Sequence, residues 1–292
     1  MANKLTGTAP AVPSRLIPPA GLSRPALLRT VLEVRAFAEI GLFFLTRRYV
    51  LKIAPHGDGH PVMVIPGFMS SDSFTQSLRR ALALLGYDVY PWNQGTNQGL
   101  RDSTCEDLEQ RVKEIAHITG RKVSLIGHSL GGIYVRAIAH RQAQYVRQII
   151  TLGSPFNASF ESQGAETKGG ALARAYERMN AGAENDILPR SDMMCFPPPL
   201  PSTSVYSRSD GIIGWQHCLD IASEITENIR VPGSHTAMAH NPLVLYVIAH
   251  RLAQPENDWR PLASSASKLR MIEASCACEL LPGWQRAERG SY

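Results

Sequence analysis

Short apolar runs alternate with stretches of helical periodicity through most of this chain. The runs "VMVI" (62–65), "YDVY" (87–90), "KVSLIG" (122–127) and "QIITLG" (148–153) lack the polar alternation of a half-exposed strand. Strands buried on both faces read this way, as in a parallel sheet covered by helices. Two later runs, "TSVYS" (203–207) and "NIRVPG" (228–233), extend the series. Between them Phe74, Leu78, Ala81, Leu82 and Leu85 recur at helical spacing before Gly86, and Leu108, Val112, Ile115 and Ala116 do so before Gly120. A third helix is expected over "GGIYVRAIAHRQ". A fourth starts at Asn241-Pro242, an N-cap and a first-turn proline, ahead of Leu243, Val244, Val247, Ile248 and Leu252. Strand–helix alternation of this length predicts an α/β chain with a mostly parallel, doubly wound sheet.

The alternation fails in four stretches. Residues 1–25 are rich in proline and read as a disordered arm. Residues 26–46 are apolar but interrupted by Arg29, Glu33, Arg35 and Glu39. That is too charged for a membrane span, and a helix packed on the domain is expected instead; a membrane-surface helix is the lesser reading. Residues 157–200 are long and mixed, with one short helix marked by Leu172, Tyr176 and Met179, and end in "FPPPLP", a rigid lead into the next strand. An insertion of that length in a compact domain is typically a lid or a loose loop. Residues 254–292 read as an extension with at most a short helix near 266–274.

The 292 residues, 44% of them hydrophobic, suffice for one large core. The net charge of +5 is spread without a basic block, so nucleic-acid binding is not expected. Five cysteines, at 105, 195, 218, 276 and 278, make neither a disulfide framework nor a zinc set. Cys195 and Cys218 could bridge, though buried thiols are the plainer reading. With no signal peptide or transmembrane pattern, a cytoplasmic protein is expected.

One stretch carries chemistry. Gly127-His128-Ser129-Leu130-Gly131 is a G-x-S-x-G that follows a strand and opens a helix. A serine on so sharp a bend takes a strained backbone angle with its hydroxyl pushed outward, and the positions two before and two after must be small. The backbone N–H of Leu130 then faces the oxyanion of a tetrahedral intermediate, and the helix dipole helps. Such a serine needs a base and the base an orienting carboxylate, in the chain order serine, acid, histidine. Asp210, after "TSVYS", and His235, after "NIRVPG", satisfy that order. Asp210-Gly211 is otherwise an ordinary turn. Asp192, Asp220 and His240 are weaker candidates by position, and His128 reads as structural. The second oxyanion donor is expected on the loop after the first strand, "VIPGFMSS", at Phe68 N–H, with Met69 next.

On "PGF", "GHSLGG", "SRSDGII" and "GSHTAMAHNP", over about residues 60–253, the chain resembles the α/β-hydrolases of the esterase/lipase kind. Many lipases of that kind carry His-Gly at the oxyanion turn, where this chain has Pro66-Gly67. The resemblance implies a hydrolase domain over 26–253 with a lid at about 157–200, and a carboxylic ester substrate with an apolar acyl group. It implies acyl transfer through Ser129, with Asp210 and His235 as its partners. Met69, Phe156 and Trp215 are candidates for an acyl pocket, and equally for the core. No cofactor or metal is expected. The expected partner is a small-molecule or lipid ester, with membrane-surface contact as a lesser expectation; oligomeric state is left open. The competing functions are an acyltransferase with the same three residues and an inactive fold used for binding.

Overall fold

The computed structural model describes residues 31–157 and 192–262. The arm at 1–25, the body of the insertion with its expected helix at Leu172–Met179, the helix expected near 266–274 and the cysteines at 276 and 278 lie outside them. A single 3₁₀ turn, Leu32–Arg35, leads into α1 (Ala36–Ile53). Then follow β1 (Pro61–Ile65), α2 (Asp72–Leu84), β2 (Asp88–Pro91), α3 (Asp102–Thr119), β3 (Val123–His128), α4 (Leu130–Arg141) and β4 (Val146–Leu152). Beyond the insertion come β5 (Ser202–Tyr206), β6 (Thr226–Arg230) and α5 (Pro242–Leu252).

All six strands pair in parallel, in the order β2-β1-β3-β4-β5-β6. Alternating side chains of one strand feed two cores, as the strand period of two requires. Val62, Val64, Ile126, Ile150 and Leu152 pack under α1, α2 and α5, with Phe43, Leu78, Leu82 and Val247. Met63, Ile65, Val123, Leu125 and Ile149 pack under α3 and α4, with Leu108, Val112, Ile133 and Tyr134. Helices thus cover both faces, which explains the continuous apolar runs. The fold is that of the α/β-hydrolases.

The strand boundaries differ from the sequence pattern by one or two residues at most ends. The largest offset is β6, which runs over Thr226–Arg230 and stops before Pro232, a residue with no N–H for the ladder. α1 is shifted along the chain from the expected 26–46: Leu32–Arg35 form the 3₁₀ turn, 26–30 lie outside the described residues, and the helix runs on to Ile53 because Val50 continues its buried face. The Asn241 side chain caps α5 by accepting from Leu243 N–H at 2.9 Å. No helix among the described residues is long and apolar enough to cross a membrane. Cys105, Cys195 and Cys218 are unbridged thiols.

The chain leaves β1 for β2 on one side of the sheet and returns to β3 on the other. In open α/β sheets the crevice at the carboxyl ends of such strands is where ligands bind. The opposite, amino-terminal edge holds a polar cluster in which His60 and Ser124 are buried and Asp58 is exposed. His60 Nε2 lies 2.9 Å from Ser124 Oγ, and His60 Nδ1 lies 2.5 Å from Asp58 Oδ1. Asp58 Oδ2 in turn meets Arg121 at 2.5 Å and Arg147 at 3.2 Å.

Candidate active site

Ser129 sits between the last residue of β3 and the first of α4. Its backbone has φ 52° and ψ −120°, outside the regions open to ordinary L-residues. The bend is held by Ser129 N–H donating to the Leu152 carbonyl at 2.8 Å and Gly132 N–H donating to Ser129 O at 2.9 Å. Its glycines are steric necessities. A Cβ on Gly127 would strike the Gly131 carbonyl, and one on Gly131 would strike the Ile65 carbonyl. With both absent, β1, β3 and the start of α4 close on one another, and Ser129 remains partly exposed while His128 and Leu130 are buried.

The loops after β5 and β6 bring the other two predicted residues to this serine. His235 Nε2 lies 2.9 Å from Ser129 Oγ, and His235 Nδ1 lies 2.6 Å from Asp210 Oδ2. The other Asp210 oxygen accepts from Ile212 N–H at 2.8 Å and Ile213 N–H at 2.7 Å. Asp210-Gly211 is therefore a turn as well as a partner, and the turn aims the remaining oxygen at the ring. Burial disfavours the charged imidazole, but the Asp210 charge and hydrogen bond, and the Glu33 charge, outweigh it and raise the His235 pKa above its ordinary 6.5. The geometry fixes the tautomer with the proton on Nδ1 and the lone pair of Nε2 toward Ser129.

His128 points away from Ser129, as its place in the motif suggests. Its Nε2–H donates to the His235 carbonyl at 3.1 Å, and its ring stacks on Phe74. Burial, with the charge of His235 beside it, pulls its pKa down to about 3, so it stays neutral. His240 lies behind it, edge-on to Phe74 and Phe43. Asp220 forms a fully buried ion pair with Arg136 at 2.6 Å. Arg136 also donates to the Met194 and Phe196 carbonyls and lies over the Phe156 ring, gathering both ends of the insertion onto α4.

The loop after β1 runs against Ser129: a Cβ on Gly67 would come within 3.1 Å of Ser129 Cβ. Asn97, almost wholly buried, holds that loop. Its side chain donates to the Pro66 carbonyl at 2.9 Å, its N–H donates to Ser70 O at 2.9 Å, and its carbonyl accepts from Met69 N–H at 2.8 Å. Met69 N–H is thus engaged, and its side chain is exposed. Phe68 is half-buried against the core under α3 and α4. Leu130 is the first residue of α4, where the N–H precedes the intrahelical ladder. Trp215 stacks on Tyr206 and lies under Arg208. Phe156 is fully buried.

The sequence pattern did not single out Asn97, and it missed a larger group on the N-terminal segment. Glu33 Oε1 accepts from Gly211 N–H and His235 N–H, each at 2.9 Å. Its other oxygen accepts from Thr236 N–H at 3.2 Å and Thr236 Oγ at 3.1 Å. Arg35 donates to the Ser209 carbonyl at 2.7 Å and pairs with Glu39 at 3.0 Å. Glu39 accepts from Ser234 N–H at 2.9 Å and Ser234 Oγ at 2.6 Å. Burial would raise the Glu33 pKa, but the N–H groups of His235, Gly211 and Thr236 lower it, so the carboxylate is ionised. The described residues contain no cluster able to hold a metal ion.

Residues 61–188 match the family model described as palmitoyl protein thioesterase. A curated relative, the biotin biosynthesis bifunctional protein BioHC of Teredinibacter turnerae, is 35% identical over 69 residues, which is 24% of this chain and 12% of that protein. Lipase B of Aspergillus fumigatus superposes with a TM-score of 0.50 at 16% identity, over 73% of this chain and 56% of the lipase. A Bacillus licheniformis lipase covers 69% of this chain and 95% of its own at 14% identity, with a TM-score of 0.45. The chain therefore spans little more than half the length of the fungal lipase and a small part of the biotin protein.

Proposed function

We propose that this chain hydrolyses acyl esters through an acyl-serine intermediate, with Ser129 as nucleophile, His235 as general base and acid, and Asp210 as its orienting partner. The observation that carries the reading is the relay Ser129 Oγ–His235–Asp210, at 2.9 Å and 2.6 Å, on a serine with φ 52°. His235 Nε2 takes the hydroxyl proton as Ser129 Oγ attacks the acyl carbon. The oxyanion forms at the Leu130 N–H, with the loop at Gly67-Phe68 supplying the second donor. His235, now doubly protonated, gives its proton to the departing alcohol, and Asp210 stabilises the imidazolium. Water, activated by the same histidine, then releases the acid and restores Ser129.

The family-model match over 61–188 favours a second substrate class, acyl thioesters. The chemistry differs only in the leaving group, a thiol in place of an alcohol. Turnover of matched p-nitrophenyl ester and acyl-thioester series, by chain length, separates the two. Fluorophosphonate labelling that maps to Ser129, and is lost in Ser129→Ala, supports the mechanism. Intact protein that neither labels nor turns over any member of the series sinks it. Acyl products formed on added alcohols instead of free acid would replace hydrolysis with acyl transfer.

A further inference from the structure

Asp210 and His235 stand on separate loops, beyond the last register pair of β5 and β6, Tyr206 and Arg230, so the sheet ladder itself does not reach them. Their alignment decides whether Nδ1–H meets Oδ2 and whether Nε2 meets Ser129. Part of the tie is local: Ser207 and Ser209 hydroxyls both donate to the Gly233 carbonyl, at 2.7 Å and 3.0 Å. The rest comes from the far end of the chain. One Glu33 oxygen receives the N–H next to the acid and the N–H of His235 itself. Arg35 holds the carbonyl just before the acid, and Glu39 holds the residue just before the histidine.

We propose that Glu33, with Arg35 and Glu39 beside it, is a positioning group that locks the acid loop and the histidine loop into the register the relay requires. The inference rests on the assignment of Ser129, Asp210 and His235 made above. A carboxylate is suited to the place because four donors converge on it and it accepts only. An amide there would turn an NH₂ toward N–H or O–H groups and leave part-buried donors unpaired. The negative charge acts on the chemistry as well, since it favours the imidazolium that forms when His235 takes the proton.

The test uses the full chain, a p-nitrophenyl ester, and fluorophosphonate titration to count competent sites. In Glu33→Gln, kcat per titrated site falls by about 10- to 100-fold, the scale of a misplaced catalytic group, with KM within about twofold. The acid limb of kcat/KM moves to lower pH, because the charge that raised the His235 pKa is gone. Thr236→Val removes one donor and keeps the charge, so kcat falls less and the acid limb stays put. A merely structural Glu33 lowers the melting temperature but moves neither kcat per site nor the acid limb, and that result overturns the proposal. Should Glu33→Gln fail to fold, Arg35→Met carries the test, with a lower kcat at constant KM expected and an unchanged kcat overturning it. Ser129→Ala, run in parallel, separates the two readings. Turnover there within about tenfold of the intact protein overturns the nucleophile assignment, whereas a Ser129→Ala down by about 10³-fold or more beside a fully active Glu33→Gln overturns only the positioning role.

Discussion

The two ends of β3 carry the same three residue types in nearly the same geometry. At its amino end Ser124, His60 and Asp58 are linked at 2.9 Å and 2.5 Å; past its carboxyl end Ser129, His235 and Asp210 are linked at 2.9 Å and 2.6 Å. Ser124 lies inside a strand paired on both sides, opposite Val62 and Gln148, and is wholly buried. The peptide groups after it belong to the sheet ladder, so no donor is left for an oxyanion. Ser129 lies on a strained bend before a helix, partly exposed, with first-turn N–H groups beside it. The charges differ as well. Asp58 is shared among His60, Arg121 and Arg147; burial, with the arginines, drops the His60 pKa to about 4. Asp210 is held by backbone N–H groups, and a second carboxylate, Glu33, lies behind His235. The two ends thus share a hydrogen-bonded serine, histidine and aspartate, and differ in the exposure of the serine, in the bend that carries it and in the charges around the carboxylate.

The contrast is sharpest in paired substitutions. Ser129→Ala lowers kcat for an ester by about 10³-fold or more, while Ser124→Ala leaves it within about twofold, both read from initial rates. Asp210→Asn lowers kcat by about 10²- to 10⁴-fold by favouring the wrong tautomer of His235. Asp58→Asn leaves kcat alone and lowers the melting temperature, because Arg147, nearly buried, loses its counter-charge. The smallest effects are in pH. Activity needs neutral His235, whose pKa is raised, so kcat/KM falls as pH drops through a value above 6.5. His60 is the reverse case. Between pH 6.5 and about 4 the unfolded chain binds the proton that folded His60 refuses, so stability falls with pH across that window. Denaturant melts at several pH values register that fall separately from the rate profile.

The sheet was legible because its runs are buried on both faces, and the elbow because steric demands force glycine at Gly127 and Gly131. Asp210 and His235 were legible through chain order after strands. The N-terminal clamp was not. Glu33, Arg35 and Glu39 first stood out as charges that spoil an apolar helix, and local periodicity assigns such charges to solvent. Their partners lie at Ser209, Gly211 and Ser234 to Thr236, and no spacing rule joins positions so far apart. His60 was equally silent, since a histidine ahead of a strand has no pattern marking Ser124 as its partner. Asp220 was set aside for lying past its strand; in the structure it is taken up by Arg136.

The clamp also has a consequence for the order in which activity is acquired during synthesis. Glu33 leaves the ribosome 178 residues before Gly211 and 203 before Thr236. The serine elbow needs only β1, β3, β4 and the start of α4, all of which are complete by Leu152. Ser129 and the strands that hold it therefore emerge well before Asp210 and His235, and the Glu33 contacts are among those of large sequence separation. Contacts of such sequence separation form late because loop closure must be met first. On the mechanism proposed above, a complete relay at Ser129 is expected only in molecules whose segment at Glu33 has met the loops at Gly211 and His235.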